Sequence, residues 1–279
     1  MKVKAYAKIN LGLAVTAKRA DGYHNLDSLL TCVDLCDDVS VKLDKSGKVE
    51  VYFANCNQIE NNSAKKAAEA FKKKFALDCG IKVKIVKNIP FGGGLGGSSA
   101  DAAAVLRALC VLTDRAVDDD LLSVAAETGS DTVALVKGGY VRITDKGDTA
   151  VKLNVKRKLY FAVVCGGGAD TATVFKAFDD LCGGGATGKN CDEIVKTLTS
   201  GGDVSTETFN DLTEACFAAY PAQKILAQKC KVLTGKDFCM TGSGSCMFFC
   251  CDSRRAATDL QKVLKSGGVE CFVCQSVDF

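Results

Sequence analysis

The sequence predicts an α+β protein of two domains, and three observations lead to that prediction. Strand-like and helical stretches both occur on either side of the glycine-rich stretch 90–103, which is typical of sheets that carry helices. The character of the chain changes near residue 154, where several helical stretches follow one another. The last part reads strand, turn, strand, helix and strand, which is typical of a split βαβ layer. We therefore expect one domain over 1–153 and a second over 154–279.

Composition excludes several classes of protein. A chain of this length can bury a large core, as one big domain or as two of ordinary size. A net charge of +3 spread among mixed charges gives no reason to expect nucleic acid as a partner. No apolar run reaches the length of a membrane span and no signal-peptide pattern precedes Lys2, so we expect a cytoplasmic protein that has no membrane partner.

The sixteen cysteines are scattered singly, which indicates small buried side chains in a reducing compartment and not a disulfide framework. Zinc binding is the alternative, but Cys271 and Cys274 fall in the strand-like run 269–274, where residues three apart face opposite sides. His24 is the only histidine, which removes mixed Cys/His sites. Structural zinc is the less favoured interpretation.

The first domain begins with strand-like runs over 2–6 and 8–15, and in the second run Lys8 and Asn10 share one face. Spacing alone favours an ordinary polar face on a half-buried strand over a functional pair. A turn over 18–26 then places two aromatic rings side by side. The rings of Tyr23 and His24 suit the recognition of a heterocyclic base, or simply the edge of a capped loop.

The remaining elements are predicted from periodicity. In the first domain they are strands 39–43, 49–53 and 81–89 and helices 64–75, 100–112 and 118–128, with N-cap candidates for the first helix at 61–63. In the second they are strand 158–164, helices 171–182, 190–200, 208–218 and 222–233, strand 237–240, turn 241–245, strand 246–250, helix 253–266 and strand 269–274.

The stretch 90–103 holds five glycines in six positions, with a strand before it and an apolar helix after it. Without β-carbons, the backbone N–H groups of such a turn can converge on an anion, and the helix N-terminus adds unpaired N–H groups. Ser98 and Asp101 have the spacing of a capping box, but a cap does not need five glycines. The stretch therefore predicts a phosphate cradle in an enzyme that handles a nucleoside triphosphate.

Two other phosphate motifs fit less well. Gly92, Gly94 and Gly97 satisfy the spacing of a dinucleotide fingerprint, but the helix is not followed by a strand that carries an acidic residue. Residues 183–189 approach a P-loop, but Asn190 stands where Ser or Thr must hold magnesium.

Taken in this order, the motifs resemble the GHMP family of small-molecule kinases. Its three motifs match the strand at 8–13, the glycine turn at 90–103 and the turn at 241–246. The segment 19–26 is similar to those members that act on a cytidine diphosphate conjugate of methylerythritol in non-mevalonate isoprenoid synthesis. The resemblance implies a GHMP-kinase-like fold with the active site in the cleft between the domains, and ATP-dependent phosphorylation of the 2-hydroxyl of that small molecule.

The resemblance also implies residue roles. Asp131 matches the catalytic base, and Lys8 matches the lysine that holds it ionised; a cation does lower the pKa of a nearby carboxylate. The resemblance gives the substrate-binding residues as Asn10, Tyr23, His24 and Phe175. It gives the ATP-binding residues as Asn61, Pro90, Gly92, Gly93, Gly94, Leu95, Gly96, Gly97, Ser98, Ser99, Gly242, Ser243 and Gly244. Mg²⁺ is expected with ATP, near Ser98 or Ser99 but not bound directly by the protein.

Departures and alternatives remain. Thr132 and Val133 stand where the family has Val-Pro, which bears on the rigidity of that loop. Another GHMP kinase, acting on mevalonate or homoserine, would have no need of the Tyr-His pair. A regulator that binds nucleotide without catalysis would not need Lys8 and Asp131 together with the glycine turn. A monomer and a homodimer are both compatible with the sequence.

Overall fold

A computed structural model describes residues 1–60, 62–145, 149–183 and 187–279. Asn61, expected among the ATP-binding residues, and the middle of the segment 183–189 lie outside the described residues. Within the described ranges, no helix is both long enough and apolar enough to cross a membrane. The expected α+β class is confirmed, since helices and strands alternate along the chain.

The strands are β1 Lys2–Lys18, β2 His24–Asp44, β3 Val49–Phe53, β4 Gly80–Val86, β5 Tyr140–Asp145, β6 Thr149–Leu153, β7 Tyr160–Val164, β8 Phe209–Asn210, β9 Cys239–Met240, β10 Met247–Cys251 and β11 Cys271–Gln275. The helices are α1 Ser63–Lys74, α2 Gly97–Leu112, α3 Asp119–Ala126, α4 Thr132–Lys137, α5 Thr171–Cys182, α6 Asp192–Ser200, α7 Thr213–Ala219, α8 Pro221–Thr234 and α9 Arg254–Ser266.

The first of two compact units comprises Met1–Ala7, Leu35–Ile89 and Gly96–Gly138. In its sheet β4 pairs in parallel with β3 and antiparallel with the second half of β2. Helix α1 packs against α2 and buries Ala64, Ala67, Ala68 and Phe71. Most of α2 is buried because its many alanines let neighbouring elements approach its backbone closely. This packing fixes the helix that follows the glycine turn.

The second unit comprises Lys8–Asp34, Pro90–Leu95 and Gly139–Phe279. It contains a four-stranded sheet with the order β11-β7-β10-β9. Among its other strands, the first half of β2 pairs with β5, β5 pairs with β6, and β1 pairs with β8. One apolar core joins the four-stranded sheet to α5, α7, α8 and α9. The predicted strand–turn–strand–helix–strand order at the C-terminus is confirmed.

Several predicted elements were wrong in extent. The runs 2–6 and 8–15 form one continuous strand, β1. All of 24–38 belongs to β2, although its apolar run lacks a clear alternation. The helix predicted over 208–218 begins as strand β8, because Phe209 and Asn210 pair in parallel with Gly12 and Leu13 of β1. The Asn210 side chain adds two 2.8 Å hydrogen bonds from Nδ2 to the carbonyls of Met240 and Gly242. Those partners are distant in sequence, so the local pattern could not indicate them.

The prediction for the cysteines was wrong for one pair. Cys165 and Cys246 form a disulfide across a sequence separation of 81 residues, with Cα atoms 4.2 Å apart. The other cysteines are not in disulfide bonds. Burial raises the pKa of several of these thiols, that of Cys239 to about 12. Burial of these thiols agrees with the expectation of small apolar side chains.

Candidate functional site

Residues Pro90–Leu95 of the glycine turn belong to the second unit, and the turn continues into α2. Its carbonyl groups accept backbone hydrogen bonds from three other segments, from Ala169 N to Gly92 O at 3.0 Å, from Cys246 N to Gly93 O at 3.1 Å and from Lys8 N to Leu95 O at 3.0 Å. In a trans peptide the next N–H points the opposite way. The N–H groups of Gly93, Gly94 and Gly96 therefore face away from those segments, which is the orientation an anion cradle needs.

Glycine is required at the centre of this turn. Gly94 has a φ of +72°, and a β-carbon there would lie 2.1 Å from the carbonyl oxygen of Thr241. Gly92 has a φ of +64°, and its β-carbon would lie 2.9 Å from Gly168 Cα. Two further loops, 166–168 and 241–246, therefore pack backbone to backbone on the turn. This close approach explains the glycines without reference to any ligand, and the outward N–H groups add the ligand-binding capacity.

The start of α2, in the first unit, has features of its own that suit an anion. Gly96 is the N-cap with a φ of +71° and supplies no side-chain cap, and the first hydrogen bond of the helix runs from Ala100 N to Gly96 O. The N–H groups of Gly97, Ser98 and Ser99 therefore have no partner within the helix. Together with the positive end of the helix dipole, they fit a phosphate group.

Lys8 and Asn10 form a buried polar group on β1. Lys8 is 3% exposed and donates from Nζ to Asn10 Oδ1. The same oxygen accepts a 2.9 Å hydrogen bond from Gly242 N, while Asn10 Nδ2 donates to Ser28 Oγ at 2.8 Å. A β-carbon on Gly242 would lie 3.0 Å from Lys8 Nζ, so the ammonium lies directly beside the 241–246 loop. The Asn10 amide holds Lys8 and this loop in place, which is a positioning task beyond the substrate contact expected of it.

The first unit carries Asp131, a half-buried residue at the N-cap position of α4. Its side chain makes no capping hydrogen bond, so the plain N-cap interpretation left open by the sequence is wrong. Ser99 lies beside the same loop, since a β-carbon on Gly129 would be 3.0 Å from both Ser99 Oγ and Thr132 Oγ1. Ser98 is exposed. Within this unit, Ser99 is therefore the serine that α2 brings to the loop of Asp131.

An aromatic cluster in the second unit surrounds His24. The ring of Phe175 on α5 stacks on His24 with centroids 4.9 Å apart and an interplanar angle of 23°. His24 Nε2 lies 2.8 Å from Asp179 Oδ1, and Lys18 Nζ donates to the other oxygen of Asp179 at 2.7 Å. Burial raises the pKa of Asp179, but the hydrogen bonds from Lys18 and His24 outweigh it and lower that pKa overall. Tyr23 is 71% exposed beside this cluster.

The charge on Asp179 determines which nitrogen of the His24 imidazole carries a proton. A carboxylate only accepts hydrogen bonds, so Nε2 must be the donor, and in the neutral ring Nδ1 is then an acceptor. Lys18 and Asp179 were missed in the sequence, because Asp179 lies 155 residues from His24. The only available signal was the helical spacing of Phe175 and Asp179, which places both on one face of α5.

The loop 166–168 was also missed as part of the site. Ser245 Oγ donates to Gly167 O, and Thr171 at the start of α5 lies 2.9 Å from Ser243, hydroxyl to hydroxyl. The disulfide of Cys165 and Cys246 ties this loop to the 241–246 loop. Three adjacent glycines after a strand were the signal in the sequence. In the second unit, the structure thus brings together the glycine turn, both glycine loops and Lys8.

Comparisons with known proteins agree with this geometry. The profile of the GHMP kinases N terminal domain matches residues 62–140. A 4-diphosphocytidyl-2-C-methyl-D-erythritol kinase from Pseudothermotoga lettingae is 35% identical over 255 residues, covering 88% of this chain and 90% of that protein. A protein of the same name from Corynebacterium glutamicum is 31% identical over 281 residues, covering 95% of this chain and 89% of that protein.

A solved structure is similar along its whole length. The crystal structure of a 4-(cytidine 5'-diphospho)-2C-methyl-D-erythritol kinase aligns with a TM-score of 0.81 at 27% identity, covering 99% of this chain and 100% of that chain. The similarity therefore extends over both compact units and is not confined to the glycine turn.

Proposed function

The chain belongs to the GHMP kinase family, among its 4-diphosphocytidyl-2-C-methyl-D-erythritol kinases, and from this premise we propose its reaction. It transfers the γ-phosphoryl group of ATP to the 2-hydroxyl of 4-diphosphocytidyl-2-C-methyl-D-erythritol, with Mg²⁺ as the accompanying ion. The chain matches 90% of the length of the Pseudothermotoga lettingae relative and 89% of the length of the Corynebacterium glutamicum relative. The observation that carries the choice of acceptor is the His24 cluster, a feature that a mevalonate or homoserine kinase does not need.

The cradle supports the nucleotide half of the proposal. The outward N–H groups of the glycine turn and the uncapped start of α2 would hold the phosphates, and glycine is required there by backbone contact. Bound Mg²⁺ would supply positive charge that offsets the charge developing on the phosphoryl oxygens. Ser99 is the serine we assign nearer the metal, because its hydroxyl lies beside the loop of Asp131 while Ser98 is exposed.

Two residues would carry the chemistry. Asp131 accepts the proton of the acceptor hydroxyl, whose oxygen then bonds to the γ-phosphorus as the bond to the β–γ bridging oxygen breaks and ADP leaves. Lys8, held by Asn10, has its ammonium beside the 241–246 loop and would stabilise negative charge on the phosphoryl group. Positioning and electrostatics supply most of the rate, as is usual in phosphoryl transfer.

The His24 cluster would recognise the cytosine base of the acceptor. With Nε2 donating to Asp179, a neutral imidazole would offer an acceptor at Nδ1, which matches the exocyclic amine of cytosine and does not match the carbonyl of uracil. Tyr23 and Phe175 would supply ring faces for stacking. This polarity predicts that the protein prefers cytidine over uridine conjugates.

We expect His24→Ala to raise KM for the cytidine compound by at least about tenfold, the effect of one hydrogen bond lost in a dry site. KM for ATP should stay unchanged, because the cradle lies on other segments. Steady-state kinetics with each substrate varied in turn measures both. Asp179→Asn is the matched variant, because its amide oxygen still accepts from Nε2, and its effect should be smaller. An unchanged KM for the cytidine compound in His24→Ala would exclude this role.

Release of ADP in a coupled assay tests the proposed function as a whole. We expect kcat/KM for the cytidine compound to exceed that for mevalonate and for homoserine by at least about hundredfold, because the polar groups that recognise the base are left unpaired by the other acceptors. Preference for mevalonate or homoserine would reassign the chain within its family. ATP binding without turnover of any of the three would favour the regulator.

A further inference from the structure

A buried ion cluster in the first unit joins the two ends of the glycine turn. The segment Lys87–Ile89 leads into the turn and α2 leads out of it. Lys87 Nζ donates to Asp37 on β2 and, at 2.7 Å, to Asp101 on α2. The side chains of Lys87, Asp37 and Asp101 are only 6%, 0% and 5% exposed. None of these residues has a part in the proposed chemistry.

Asp37 also contacts the backbone of the segment Lys87–Ile89, which precedes the turn. Its Oδ1 accepts backbone hydrogen bonds from Ile89 N at 2.8 Å and from Asn88 N. The segment before the turn is therefore held by Asp37, and the helix after the turn is held through Asp101, with one ammonium shared between them. Gly97, the first residue of α2, packs on the same cluster, since a β-carbon there would lie 3.2 Å from Ile89 Cγ2 and 3.6 Å from Lys87 Nζ.

The cluster is costly for folding, which argues that it does more than stabilise. Two carboxylates share one ammonium, and among the described residues Asp101 Oδ1 is buried without a hydrogen-bond partner. Burial raises the pKa of Asp101 to about 7, although Lys87 opposes this shift. Ion pairs at such positions seldom stabilise a fold more than well-packed apolar side chains would, but they do fix one geometry.

Attraction of phosphate does not explain the cluster either. With both carboxylates ionised, its net charge is negative, and that charge would oppose an anion at the start of α2. Fixing geometry explains all the contacts, because phosphate contacts to backbone N–H groups depend on distances that a small displacement spoils.

We propose that Lys87 is a positioning residue that, through Asp37 and Asp101, sets the separation of the two ends of the glycine turn and so holds its N–H groups in place for the phosphates of ATP. This inference rests on the proposed nucleotide site. It assigns no contact between Lys87 and ATP. It does make the affinity for ATP, and not that for the acceptor, dependent on this cluster.

The test is Lys87→Met, read by steady-state kinetics and by hydrogen exchange. We expect KM for ATP to rise by about tenfold or more while KM for the cytidine compound stays within about twofold. Backbone amides over 90–100 should exchange faster in the absence of nucleotide. Lys87→Arg keeps a cation that can bridge two carboxylates, so it should recover most of the affinity.

Arg107→Met is the matched control, because Arg107 lies farther along α2 and donates at 2.8 Å to Lys4 O in the same unit. It should lower the unfolding temperature without changing KM for ATP. Asp101→Asn provides a milder break if Lys87→Met does not fold, and it should also raise KM for ATP. An active protein in which Lys87 and Asp101 variants lose stability but keep both KM values and the exchange rate of the turn would overturn the inference. Lack of turnover in the unaltered protein would instead count against the proposed function.

Discussion

Replacing Asp131 by Asn is expected to reduce turnover by about two to four orders of magnitude, the usual loss when a general base is removed. An amide cannot take up the proton of the acceptor hydroxyl, although it has the size of the carboxylate. The Asp131 side chain makes no capping bond to α4, so the substitution removes no cap and the fold should be retained. ATP affinity, measured by calorimetric titration, should remain close to that of the unaltered protein.

Asp118→Asn controls for the loss of a carboxylate near a helix start in the same unit. Asp118 caps α3 by accepting from Leu121 N at 2.9 Å, and the amide oxygen of Asn serves equally well as a cap. This variant should keep its turnover. If the folded Asp131→Asn protein turned over as fast as the Asp118→Asn protein, another group would have to be the base.

Gly94→Ala is expected to weaken ATP binding by about hundredfold or more, since a displacement near 1 Å in a binding element has effects of this size. The new β-carbon would lie 2.1 Å from Thr241 O and 3.0 Å from Gly244 O, so the turn must move away from the 241–246 loop. The N–H groups of the cradle move with it. Calorimetric titration with an ATP analogue and KM for ATP measure the loss.

Gly201→Ala separates this displacement from backbone strain. Gly201 has a φ of +79° and no atom within 4 Å of an added β-carbon, so it bears the strain of the left-handed region alone, about 1–2 kcal/mol. It should lower stability and leave ATP binding unchanged. Equal ATP affinity in the two variants would show that the backbone contact at Gly94 does not shape the site.

The parts of the site that could be predicted from the sequence are those that are local in the chain. Five glycines between a strand and an apolar helix indicated the cradle because all its N–H groups come from neighbouring residues. The alternation on β1 placed Lys8 and Asn10 on one face for the same reason. The roles of Asp131 and His24 came from the family resemblance, since a single carboxylate or ring has no local signature.

The rest depends on contacts between distant residues. The amide of Asn10 meets Thr241 and Gly242 across 231 and 232 residues, and no local pattern indicates that pairing. The cluster of Lys87 joins β2 to α2, and its members look like ordinary surface charges in the sequence. Likewise, residues 209–210 form a strand because they pair with the distant strand β1, and this pairing overrides the helical periodicity of 208–218.

Competition among three acceptors identifies the substrate of this protein. The purified protein is incubated with ATP, Mg²⁺ and an equimolar mixture of the cytidine compound, mevalonate and homoserine, and the products are identified by mass spectrometry and ³¹P NMR. We predict that the cytidine compound alone gains one phosphoryl group and that this group is bonded to its 2-oxygen. Phosphorylation of mevalonate or homoserine in its place, or of a different oxygen of the cytidine compound, would contradict the account.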